Sequence, residues 1–124
     1  MTGGQLLVAV DLGGTKVVAA LADEQAKMLA RHWELTEQSN EGLGAQLKRL
    51  VHTVLDQGGV RQEPIGAIGV GSPGPLDLEA GIILDTPNIA VRDFPLKRTL
   101  EEEFGVPVRV NNDVNVGTLG EAWK

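Results

Sequence analysis

Short apolar blocks, separated by small clusters of glycine and polar residues, divide this chain into its elements. The first block closes on Val10 and is followed by Asp11. The second opens at Val17, after Gly13-Gly14-Thr15-Lys16. The pattern predicts a strand over residues 5–10, a tight turn, and a strand over residues 17–22. Asp23-Glu24-Gln25-Ala26 turns the chain into a third strand, roughly residues 28–35. Three strands joined by short links read as an antiparallel meander.

The period then changes. Leu43, Leu47, Leu50, Val51 and Val54 recur at spacings of three and four, which predicts a helix over about residues 42–57 with one apolar face. Gly58-Gly59 ends it, as helix C-termini prefer. Residues 65–71 form a short apolar run of the buried-strand kind, broken by Ser72-Pro73-Gly74-Pro75. Residues 76–84, with Glu79-Ala80-Gly81 in the middle, suggest a small hairpin. A second helix is expected over about residues 95–104, with Leu96, Leu100 and Phe104 on one face and Gly105 after it. A last strand over residues 107–110 leads to Asn112-Asp113, which open a final helix running to Trp123.

The order is βββ-α-β-(hairpin)-α-β-α. It predicts an α/β fold, a ribonuclease-H-like lobe whose mixed five-stranded sheet carries helices on both faces. The strands of residues 5–10, 65–71 and 107–110 should run parallel. Ligands bind outside the carboxyl ends of parallel strands. The residues just past those ends are 11–16, 72–75 and 111–113, so three polar or glycine-rich loops should converge on one edge.

Composition narrows the possibilities. The 124 residues are one domain's worth, 42% apolar and 23% charged, with nothing to suggest disorder. A net charge of -6 argues against a nucleic-acid surface, which needs clustered Lys and Arg. Glu101-Glu102-Glu103 reads as the solvated face of a helix. No cysteine is present, so the chain offers no disulfide and no Cys-ligated zinc, which fits a reducing cytoplasm. No signal peptide and no apolar run of membrane-spanning length is seen. The last periodic segment runs to Trp123-Lys124 without a tail, so the expectation is a piece of something longer.

Three motifs carry candidate chemistry. Asp11-Leu12-Gly13-Gly14-Thr15-Lys16 offers a carboxylate, a hydroxyl, an ammonium and unencumbered backbone N–H groups. Such N–H groups form an anion-binding concavity, and the carboxylate suits the Mg²⁺ that accompanies a nucleotide. The plainer reading is an ordinary hairpin turn, since Asp and Gly are turn residues. Gly69-Val70-Gly71-Ser72-Pro73-Gly74 formally matches a dinucleotide fingerprint, but Pro73 and Pro75 prevent the helix it requires. It remains either a ligand-facing loop or a plain Pro/Gly turn. Asn111-Asn112-Asp113 supplies a helix cap and leaves polar groups over. Asp113 is the candidate base at this edge if Asp11 serves the metal. His32 and His52 read as exposed strand and helix residues.

Val10 to Lys16, Gly69 to Pro75, Pro87-Asn88, and Asn111 to Asn115 through Gly120-Glu121 closely resemble the N-terminal half of the ROK family, which contains repressors, open-reading-frame proteins and sugar kinases. The resemblance covers essentially the whole chain in order and spacing. It implies an actin-like ATPase-domain kinase, with residues 1–124 as the N-terminal lobe and the C-terminal lobe absent from this chain. The members it looks most like phosphorylate a hexose, glucose first, at the 6-hydroxyl, using ATP and Mg²⁺. The resemblance makes Asp11, Gly13, Gly14, Thr15 and Lys16 the phosphate loop of the nucleotide site. It makes Asp113 the general base and Asn112 a ligand of sugar hydroxyls, and places Gly74 and Asn88 at the sugar pocket. The expectations also include no zinc site in this chain, a cytoplasmic location and a homo-oligomer. With no helix-turn-helix ahead of the first strand, the expectation is the kinase branch rather than the repressor branch. The alternative is a catalytically incomplete fragment that folds and self-associates.

Overall fold

The computed structural model describes residues 6–23, 25, 27–59, 65–72, 75–77, 79–84 and 89–111. Strand β1 (Leu6–Leu12) pairs antiparallel with β2 (Lys16–Ala22), and β2 pairs antiparallel with β3 (Met28–Leu35), as the meander pattern predicts. Two boundaries differ: β2 starts one residue early, at Lys16, which pairs with Leu35, and β1 ends two residues late. Asp11 and Leu12 belong to β1, because Asp11 still pairs with Val18 and Leu12 with Val17. Alternation explains how a strand can contain this aspartate: Val10 and Leu12 point into the core, while Asp11 is exposed on the other face.

Helix α1 (Asn40–Gln57) begins earlier than its apolar stripe suggests. Ser39 is the N-cap, its Oγ accepting the Gly42 N–H at 3.0 Å. The cap lies a turn ahead of Leu43, so apolar periodicity alone places the start too late. Leu43, Leu47, Leu50, Val51 and Val54 are fully buried. Strand β4 (Ile65–Gly71) then runs parallel to β1, and the hairpin of β5 (Leu76–Asp77) and β6 (Ile82–Ile83) follows. Helix α2 (Leu96–Phe104) leads to β7 (Val108–Asn111), which pairs parallel with β4. The sheet order is β3-β2-β1-β4-β7.

Period-two alternation puts Val8, Val10, Val17, Ala19, Leu21, Ile68, Val70 and Val108 on one face, in a single cluster with the buried residues of α1 and α2. Both described helices pack there. The final expected helix, opened by Asn112-Asp113, lies outside the described residues.

The acidic run in α2 behaves as a largely solvated face. Glu102 pairs with Arg98 one turn earlier, and Glu103 bonds the exposed His52 at 2.8 Å. That contact holds the Glu103 carboxyl below its ordinary range. Among the described residues no helix is long and apolar enough to cross a membrane.

Candidate functional site

The carboxyl ends of β1, β4 and β7 lie side by side. Asp11 is in register with Gly71, and Gly71 with Asn111, so the three form a row across the parallel strands. The Ser72 N–H donates to the Asn111 carbonyl at 2.9 Å and carries the ladder one step further. The expected convergence of loops therefore holds for Asp11 to Lys16, Ser72 and Asn111. Gly74, Asn88, Asn112 and Asp113 lie outside the described residues.

Beside Asp11 the chain reverses through Gly13-Gly14-Thr15-Lys16. The Gly13 N–H donates to the Lys16 carbonyl at 3.0 Å. Space, rather than a left-handed backbone, demands glycine at the first position. Among the described residues the positive-φ glycines are Gly59, Gly81 and Gly105, whereas a Cβ on Gly13 would lie 2.9 Å from the Lys16 carbonyl oxygen. Because Gly13 spends its N–H on the turn, the groups open to an anion are fewer than the sequence suggests. They are the Gly14 and Thr15 N–H groups, which pair with none of the described residues.

The carbonyls of this turn are all drawn away. Thr36 Oγ1 donates to the Gly13 carbonyl at 2.9 Å, and Gln38 Nε2 to the Gly14 carbonyl at 3.1 Å. The Thr36 N–H donates to the Thr15 carbonyl at 2.9 Å. A carbonyl oxygen repels phosphate and an N–H attracts it, so pinning all three carbonyls leaves the tip an anion acceptor. Lys16 adds a cation, its Nζ 5.8 Å from the centroid of the Trp33 ring.

These residues fit the triphosphate end of a nucleotide with Mg²⁺. The exposed carboxylate of Asp11 sits beside the turn, and no group of three or more metal-ligating side chains occurs among the described residues. Mg²⁺ suits such a site, since it is commonly held by one or two carboxylates plus phosphate oxygens and water.

Sequence reasoning missed the corner that holds this turn. Gln46 is buried, with its amide fully used. Its Oε1 accepts the Glu37 N–H at 2.9 Å, and its Nε2 donates to the Leu35 carbonyl at 2.7 Å and to Glu34 Oε1 at 3.1 Å. Glu34 also pairs with Arg49. That guanidinium, helped by Gln46 and His32 and opposed by burial, lowers the Glu34 carboxyl to about 2. A signal existed: Thr36-Glu37-Gln38-Ser39-Asn40 is five polar residues where a helix cap needs only one. Their partners lie as far as 24 and 52 positions away, which no local pattern reveals.

Comparison with known proteins adds to the geometry. The sequence pattern of the ROK family matches residues 7–124. A glucokinase of Halalkalibacterium halodurans is 38% identical over 122 residues, covering 94% of this chain and 36% of that protein. A xylose repressor of Bacillus spizizenii is 33% identical over 117 residues, covering 92% of this chain and 30% of that protein. A solved ROK family glucokinase from Streptomyces griseus, in complex with glucose and AMPPNP, superimposes with a TM-score of 0.76 at 33% identity. That match covers 89% of this chain and 34% of the other. The chain therefore spans about a third of the length of these relatives.

Proposed function

Because this chain belongs to the ROK family, we propose that it forms the N-terminal lobe of an ATP-dependent hexose kinase, with glucose the first candidate substrate. The observation that carries the reading is the row Asp11, Gly71, Asn111 at the ends of three parallel strands, with a carbonyl-pinned turn beside it. One end of that row accepts phosphate. The other leads directly into Asn112-Asp113. A phosphate acceptor and a carboxylate base close to one another are what transfer to an alcohol requires.

In this reading the Gly14 and Thr15 N–H groups and Lys16 orient the phosphates of ATP, and Asp11 faces the Mg²⁺. When bound, the nucleotide supplies the phosphoryl group and the metal offsets its charge. Asn112, Gly74 and Asn88 orient the sugar. Asp113 accepts the proton of the 6-hydroxyl as that oxygen forms its bond to phosphorus and the bond to the ADP oxygen breaks. The expected setting is the cytoplasm, where ATP is available.

Repressors occur among the relatives as well, and turnover separates the two branches. The complete gene product is expected to phosphorylate glucose in a coupled assay. Asp113→Asn is expected to lower kcat by about 100-fold or more, the usual worth of a general base, with the melting temperature unchanged. Activity retained by that variant would place the base elsewhere, and no activity on any hexose would favour the repressor branch.

A further inference from the structure

We infer that Gln38 is a positioning residue that couples the nucleotide turn to the sugar side of the cleft, an inference that rests on the kinase reading above. Its single carboxamide touches both. Nε2 donates to the carbonyls of Gly14 and Thr36, each at 3.1 Å, and Oε1 accepts the Ala90 N–H at 3.0 Å. Gly14 lies at the tip of the turn that accepts phosphate. Ala90 follows closely on Asn88, the residue assigned to the sugar.

The neighbours divide the work. The Thr36 hydroxyl and N–H both donate to the turn, at the Gly13 and Thr15 carbonyls. Among the described residues the Asn40 side chain holds only the far segment, donating to the Arg92 carbonyl at 2.9 Å and accepting the Arg92 N–H at 3.2 Å. Among the described residues, Gln38 alone has a side chain bonded to both. Residues 36–40 are thus a clasp, and Gln38 is its joint.

A carboxamide suits this role because it carries donors and an acceptor on one rigid plane. The partners fix its orientation, since turning it over would set its NH₂ against the Ala90 N–H and its oxygen against two carbonyls. A ligand that displaces the Gly14 carbonyl moves this plane and with it the Ala90 N–H. Binding at one end then alters the other, and linkage makes the effect reciprocal.

The test measures glucose affinity with and without AMPPNP, by calorimetry on the complete gene product. AMPPNP is expected to tighten glucose binding by about fivefold or more, the lower range of site-to-site coupling. In Gln38→Leu that ratio should fall to within about twofold of unity. Gln38→Glu keeps the acceptor for Ala90 but sets a carboxylate against the Gly14 carbonyl, so it should lose the coupling and also weaken AMPPNP binding. Gln38 is exposed, and unchanged melting temperatures in both variants are the expected control for folding. A purely structural role would shift stability and leave the ratio alone. Both ligands bound, with the wild-type ratio intact in Gln38→Leu, would overturn this inference and leave the kinase reading standing. Failure of the wild-type protein to bind AMPPNP or any hexose would overturn both.

Discussion

Glu34 shows how one side chain in a part-exposed position can organise a corner. It bonds Arg49, Gln46 and His32, and its carboxyl is lowered from the ordinary 4.5 to about 2. A depressed carboxyl contributes stability above its unfolded value and loses it as pH falls toward the folded one. Glu34→Gln should therefore be less stable than wild type near neutral pH by about 1 kcal/mol, the upper end for exposed ion pairs, since Arg49 is half exposed. Urea midpoints over a pH series should show that gap constant above about 4.5 and closing toward about 2. A gap independent of pH would mean that the ion pair contributes nothing. Gln46 is different in kind. As a polar residue on the apolar stripe of α1 its oddity is visible in the sequence, while its partners on β3 and the following loop are not.

Among the elements, the small hairpin shows what a backbone can supply when a side chain does not. Helix α2 starts after Pro95 without a side-chain cap, and the Gly81 carbonyl accepts the Lys97 N–H at 3.1 Å in its first turn. The hairpin thus caps the helix. Gly81 has φ +70, and a Cβ there would fall 2.2 Å from Lys97 Cβ. Gly81→Ala should cost about 2 kcal/mol or more by chemical denaturation, combining left-handed strain with displacement of α2. Gly105→Ala, at φ +65 with nothing within 4 Å, is the control and should cost only about 1 kcal/mol. Equal losses would mean that the hairpin contact is unimportant. The hairpin and both helices were legible from Gly81, Gly58-Gly59 and Gly105, because turn and cap chemistry is local. The early start of α1 at Ser39 was also local, but it was hidden behind the more conspicuous apolar period.

On the scale of the whole molecule, the edge strand β3 stands out. Trp33 and Leu35 lie on the face away from α1 and α2, opposite Val18 and Lys16, and are 50% and 68% exposed. An edge strand with unpaired backbone groups and apolar side chains is a template for a second copy. The 124-residue chain expressed alone is therefore expected to self-associate in light-scattering measurements, and Trp33→Lys with Leu35→Lys should return it to monomer. In the same preparation glucose phosphorylation should be at most a trace, since the chain covers 36% of the glucokinase relative. A monomer with normal turnover would contradict both expectations.

What the sequence determined alone is what depends on near neighbours. The strands follow from apolar blocks, the helices from spacing, and the reversal at residues 13–16 from its glycines. Chain order and the parallel pairing of β1, β4 and β7 bring Asp11, Ser72 and Asn111 to one edge. Only the tertiary structure decided which groups of the turn remain open. Gly13 spends its N–H on Lys16, and Thr36 and Gln38 take three carbonyls from across the fold. The physical reason is that a hydrogen bond is satisfied by whichever partner lies within reach. Sequence patterns record distance along the chain, and the partners of Gln38 are near only because β1, β2 and β3 pair and Ala90 and Arg92 lie against Gln38 and Asn40.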